Sequence, residues 1–299
     1  MNDFTLWELM NETWETVRRC YEPVFDNFIS RNGLEYRQLG VLLAALSFEP
    51  ETTTPARLQK RVPYTPAATY LTRMAIAVKQ GFMLVVNPGE YRLTAKGRSE
   101  LHELIKEARR LMAELDPLPL KDSRRLATLL DRLVQASLSE PAPPGNWSIR
   151  LSYPFMPVAH PPMPYTEQAI SCLHAYRDDS HLAAWQPTGI SPPALEALTL
   201  LWRGQADSVD SLCQRMASRD HPQQIFEEVL AELRQYSYIE RDNRTLLISR
   251  SGRAFRDRIE QTTNAFFFSP WRCLEEAEKN QCAGLLEQLR DGLRNRSAS

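Results

Sequence analysis

The sequence predicts a mainly α-helical protein in two halves of like layout, each carrying one small two-stranded β-ribbon. Three observations point there. Thr54–Gly97 alternates helix, turn, helix, ribbon and helix within a few tens of residues. The same order returns after Tyr165 at a nearly constant offset. Between them, Glu140–Pro164 contains eight prolines.

Composition bounds the class. The chain has 299 residues, enough for two domains, with 43% hydrophobic and 24% charged residues, as in ordinary globular proteins. A formal charge of −1 gives no global basic signal, so contact with nucleic acid would need a local patch. No apolar run approaches the ~18 residues of a membrane span. The start, MNDFTLWELMNETWE, is acidic and amphipathic, unlike a secretory leader. The five cysteines are scattered, odd in number and form no CxxC, which argues for a reducing cytoplasm and buried thiols.

Phe4–Arg31 has apolar residues at three- and four-residue steps (Leu6, Leu9, Val17, Val24, Phe28), the period of an amphipathic helix. Pro23 should kink or divide it, and Asn32-Gly33 should end it. Leu34–Leu46 is a second helix. Thr54–Val62 and Thr65–Lys79 are two short helices separated by Pro63, with Gly81 as the stop. Phe82–Val86 and Glu90–Leu93 form a ribbon with its tip at Asn87-Pro88-Gly89. This succession is a winged helix-turn-helix. Ala95–Leu115 then carries a long amphipathic helix. A last helix of this half should start at a cap from Asp122 or Ser123 and reach Ala136.

Residues 1–137 are thus one winged-helix domain and 138–164 a proline-rich linker. Proline at that density argues against helix there, although Trp147, Ile149, Tyr153 and Phe155 suggest that the segment lies against the domains. Residues 165–299 form the second domain. Gly189 matches Gly33 and Leu198 matches Leu42 at an offset of 156; Ser237 matches Gly81 at 156, and Gly252 matches Gly97 at 155. An internal duplication at that spacing predicts two halves arranged as a pseudo-dimer, in a monomer or a homodimer.

The order of elements and the piece YRLTAKGR resemble the MarR family of winged-helix regulators. The stretches LHAYRDDSHLAAWQPTGISPPALEALTLLWRG and FFFSPWRCLEEAEKNQCAGLLEQLRDGL are similar to the C-terminal half of SalK-like helix-turn-helix proteins, over about residues 170–293. The MarR resemblance implies duplex-DNA binding by the second helix of the motif and its wing, and a small-molecule effector bound between the winged domain and its flanking helices.

A groove-facing helix needs cations for phosphates and hydrogen-bonding groups for base edges. In the first half Thr65, Thr69, Thr72 and Arg73 fall on the outer or border positions, Lys60 and Arg61 precede them, and Arg92, Lys96 and Arg98 surround the wing. These nine residues are the DNA-contact set. Thr72 stands where the family usually has an arginine, and the short wing tip lacks one. In the second half, outward positions hold Glu227, Glu228 and Glu232, which would repel phosphates; Arg241, Arg244 and Arg250 lie near its wing.

His174, Asp178 and His181, with Arg177 beside them, share one helix face. That face could orient a ligand, or in a less favoured reading serve as a metal-dependent catalytic site. Trp185 and Trp271 are candidates to line an apolar ligand pocket. His102 and His160 read as exposed. The sequence contains no GxSxG, no P-loop, no Rossmann glycine fingerprint and no HExxH. The favoured reading is a non-enzymatic transcriptional regulator whose first half binds DNA; the alternative is a winged-helix scaffold that binds a small molecule or a protein.

Overall fold

A computed structural model of the chain describes residues 2–141, 146–158, 161–242 and 245–297. Pro143, Pro144, His160, Arg244 and the side chain of Arg241 lie outside the described residues. The fold is mainly helical with two small antiparallel sheets. In chain order it runs α1 (Asp3–Asn32), α2 (Tyr36–Phe48), α3 (Pro55–Arg61), α4 (Ala67–Lys79), β1 (Met83–Asn87), β2 (Glu90–Leu93), α5 (Ala95–Ala113) and α6 (Leu120–Ser139). The second part runs α7 (Trp147–Ser152), α8 (Pro162–Trp185), α9 (Pro192–Trp202), α10 (Val209–Met216), α11 (Gln224–Gln235), β3 (Ile239–Asp242), β4 (Thr245–Ile248), α12 (Arg250–Phe268) and α13 (Glu276–Ser297).

Three hydrophobic cores organise these elements. A central one joins α1 and α6 to α8, α12 and α13 through residues such as Leu6, Met10, Leu130, Ile170, Trp271 and Leu289. A second lies inside the first winged lobe, around Phe28, Leu42, Met74 and Phe82, and a third inside the second lobe, around Leu198, Leu212, Val229 and Phe255. The molecule is therefore a helical body, built by both halves, that carries two winged lobes.

α1 is one helix through Pro23. Its ends follow the usual chemistry: Asn2 Oδ1 accepts from Thr5 N at 2.8 Å, and Gly33 closes the other end at φ 59°. α6 starts earlier than the sequence suggests, after Pro119, so neither Asp122 nor Ser123 caps it.

The wing junctions are built alike in the two lobes. Thr94 N donates to Phe82 O at 2.9 Å, and Thr94 Oγ1 accepts from Gly97 N at 2.9 Å; Ser249 N donates to Tyr238 O at 2.9 Å, and Ser249 Oγ accepts from Gly252 N at 3.0 Å. In the first lobe Thr53 pairs with Tyr91 of β2 through a single antiparallel bridge.

The proline-rich segment departs from expectation. It is not all extended: α7 and a 3-10 turn at Tyr153–Phe155 occupy it, and α8 begins at Pro162. Two of the prolines sit where they cost nothing. Pro154 is in the first turn of the 3-10 helix and Pro162 in the first turn of α8, positions whose N–H has no intrahelical acceptor. α7 is capped from outside, with the Asp179 carboxylate accepting Ser148 N at 2.9 Å and Ile149 N at 3.1 Å.

Candidate functional site

α4 is the second helix of the first helix-turn-helix. Tyr70, Met74 and Ala77 point into the lobe, as their spacing requires. The other side is not free. Thr65 is 2% exposed, and Thr69 and Arg73 are 9% exposed. Arg73 donates to Ser218 O at 3.2 Å and to Asp220 Oδ2 at 3.0 Å in the second lobe, while Arg37 donates to Asp220 Oδ1 at 3.2 Å. Tyr64, in the α3–α4 turn, stacks near Trp185 with ring centroids 6.1 Å apart, and the Arg219 guanidinium lies over its ring. The expected outer position of Thr65, Thr69 and Arg73 is thus corrected. The helical period finds the side facing the lobe's own core but carries no trace of a second lobe closing on the opposite side.

What α4 leaves in water is Ala67, Ala68, Leu71, Thr72, Ala75 and Lys79. Thr72 returns its hydroxyl proton to Ala68 O at 3.1 Å. The remaining DNA-contact candidates are scattered. Lys60 Nζ sits over the Trp147 ring at 4.7 Å, and Arg61 pairs with Asp178 at 2.9 Å. Arg98 makes a two-pronged contact with Glu49 at 2.8 and 2.6 Å. Arg92 and Lys96 are exposed beside the wing, Lys96 donating to Gln80 O at 3.3 Å.

On α11, Glu227 and Glu228 are exposed. Glu232 is not an outward-facing charge: its carboxylate accepts from the backbone N–H and the hydroxyl of Ser191, holding the start of α9.

The four polar residues singled out on α8 go to separate neighbours. His174 lies against the rings of Trp7 and Trp14, with centroids 4.7 and 4.4 Å away, and its Nε2 is buried without a partner. Burial, helped by the positive charges of Arg61, Arg177 and Arg18, pushes its pKa down to about 4. Asp178 meets Arg61 of α3. Arg177 donates to Glu260 Oε1 at 2.7 Å and to Asn264 Oδ1 at 3.0 Å. His181 Nδ1 is 3.3 Å from Thr263 Oγ1, and burial foremost pushes it down to about 4. No group of His, Cys, Asp and Glu that could hold a metal ion occurs among the described residues. Trp185 and Trp271 are 3% and 0% exposed and belong to the second-lobe and central cores, away from the cavity described next. Core packing took them because each can bury a large apolar face there.

A concave feature lies elsewhere, where α1, α2, α3, α4, α5, α7 and α8 meet. It is a cavity of about 560 Å³, of the size that holds a small organic molecule. Its apolar wall includes Tyr21, Phe25, Phe48, Tyr70, Trp147 and Phe155. Its polar groups include Arg37, Arg61, Arg73, Arg109 and Glu167. Glu167 is 8% exposed and receives hydrogen bonds from Tyr21 OH at 2.9 Å, Trp14 Nε1 at 3.1 Å and Ser171 Oγ at 3.2 Å. Burial raises its pKa, and those three donors oppose the rise. Sequence reasoning missed Glu167. The signal was available: it falls on the buried stripe of α8 with Met163, Ile170 and Leu173, a carboxylate where the helical period calls for an apolar residue.

Residues 155–298 match the model of a helix-turn-helix family. That segment therefore holds a helix-turn-helix domain, with α10 and α11 as its two short helices and β3–β4 as its ribbon. No curated protein and no solved structure matches the chain. No helix of the described residues is long and apolar enough to cross a membrane.

Proposed function

We propose that the chain is a ligand-responsive transcriptional regulator of MarR type, with two winged lobes arranged as a pseudo-dimer within one chain, and that this conformation is its DNA-silent state. One observation carries the reading. Arg73 lines the cavity and at the same time ties α4 to Asp220 of the second lobe. A molecule entering the cavity therefore acts on the contact that keeps the first recognition helix closed. Thr72, Arg92 and Lys96 already face water. Lys60 and Arg98 are exposed as well, and separation of the lobes would add Thr65, Thr69 and Arg73, with Arg61 once it leaves Asp178, to a basic surface. Effector and DNA are then coupled because each favours a different separation of the lobes.

The test is an electrophoretic mobility shift at low salt with genomic fragments, comparing the wild-type chain with Asp220→Ala. The variant removes the carboxylate that Arg37 and Arg73 share, leaving Arg73 only the Ser218 carbonyl, and is expected to shift DNA at about tenfold lower protein concentration, with a steep loss on adding salt. If neither protein shifts any fragment, the regulator reading is overturned.

A second reading has its own support: the outer face of α4 is mostly apolar (Ala67, Ala68, Leu71 and Ala75, with Thr72 and Lys79 as its polar groups), and that of α11 carries Glu227 and Glu228. Neither face suits a phosphate backbone. On that reading the chain is a winged-helix scaffold that binds a small molecule or a partner protein without DNA.

A further inference from the structure

The charges around the cavity are unevenly matched. Each of its four arginines is already engaged. Arg61 is paired with Asp178, Arg37 and Arg73 share Asp220, and Arg109 donates to Phe155 O. Glu167, the one carboxyl in the lining, has no ion pair among the described residues. Trp14, Tyr21 and Ser171 all donate to its Oε1, and none of them reaches Oε2. Arg18 stacks over the Trp14 ring at 4.7 Å and makes no ion pair with it.

Arg18 and Arg109 act on Glu167 only through space, without a direct ion pair; a buried carboxylate held that way is costly, and a cation arriving with a ligand lowers that cost. The walls suit the same guest. Tyr21, Phe25, Phe48, Tyr70 and Trp147 line the space, and aromatic side chains attract ammonium groups and pack against hydrocarbon. An anion would find one cavity arginine without an acidic partner, Arg109, which donates to Phe155 O, but would stand in the field of Glu167.

We propose that the cavity binds an organic cation, a primary amine on an aromatic or branched hydrocarbon body, whose ammonium donates to Glu167 Oε2 while the body lies against the aromatic wall. This deepens the effector reading given above and rests on the cavity being a ligand site.

Three probes of matched shape separate the possibilities: 2-phenylethylamine, 2-phenylethanol and 3-phenylpropanoate, each titrated into the purified full-length chain by calorimetry. Thermal melting in the presence of each probe is followed in parallel. The amine is expected to bind and to raise the melting temperature. The alcohol should bind about tenfold or more weakly, and the carboxylate should give no heat. Glu167→Gln should lower amine affinity by about tenfold or more while leaving alcohol binding unchanged or tighter. Should that variant fail to fold, the order of the three probes on the wild-type chain still decides. Tighter binding of the carboxylate, no response to any probe, or unchanged amine affinity in the variant would each overturn the proposal. Failure of the mobility shift with the amine still binding would overturn only the regulator reading.

Discussion

Gly97 and Gly252 have no room for a side chain. A Cβ on Gly97 would stand 2.2 Å from Phe82 O, and one on Gly252 would stand 2.2 Å from Tyr238 O. In both lobes this close approach seats the long helix after the wing against the residue before it. Position 81 and its counterpart 237 are less equal. Gly81 holds φ 77°, whereas Ser237 holds φ 55° with a Cβ that makes the left-handed region unfavourable. Two variants test this pair of constraints by urea unfolding. Gly97→Ala should destabilise the chain by about 2–3 kcal/mol, because backbone rather than a flexible side chain must yield. Ser237→Gly should stabilise it by about 1 kcal/mol. A neutral Gly97→Ala would mean that the junction relaxes freely. The glycines were legible in LTAKG and ISRSG. The burial of Arg73 was not, since its neighbour Asp220 is 147 positions away and no local pattern connects them.

At the scale of elements, α7 depends on a single distant carboxylate. Six residues are too few to hold a helix unaided. Asp179 accepts from two backbone N–H groups at its start, Ser148 and Ile149, and Trp147 packs between Phe48 and the Lys60 ammonium in the wall of the cavity. Asp179→Ala should therefore cost about 1–2 kcal/mol, in the range of a lost helix cap, and make the segment between residues 140 and 160 several-fold more sensitive to limited proteolysis. Equal cleavage rates in variant and wild type would show that α7 is held by its side chains alone. The sequence announced an apolar segment lying on the domains, through Trp147, Ile149 and Phe155. It concealed the helix, because its proline density reads as extended chain and its cap lies in α8. α4 shows the same division. The helix and its inner face follow from Tyr70, Met74 and Ala77, but the covering of its other side belongs to a separate lobe.

At the scale of the molecule, the central core belongs to neither half. Leu6, Met10 and Leu130 of the first half bury themselves against Ile170, Trp271 and Leu289 of the second. Residues 1–141 expressed alone would expose that surface, so this fragment is expected to aggregate or to lack cooperative melting, while the whole chain melts in one transition measured by circular dichroism. A monomeric fragment that melts close to the whole chain's temperature would show that the halves fold independently.

By itself the sequence determined the helices other than α7, the two ribbons and the similar order of elements in the two halves, because these rest on periodicity and on turn residues a few positions apart. It also supplied the ingredients of the cavity, including a carboxylate on the apolar stripe of α8. Tertiary structure alone decided which of them meet. It drew Glu167 toward Tyr21 and Trp14, closed Asp220 over Arg73, and placed the concave site beside Trp147 rather than Trp185 or Trp271. Those outcomes depend on how one lobe and the shared helical body pack against another lobe, and long-range packing of that kind leaves no periodic mark in the chain.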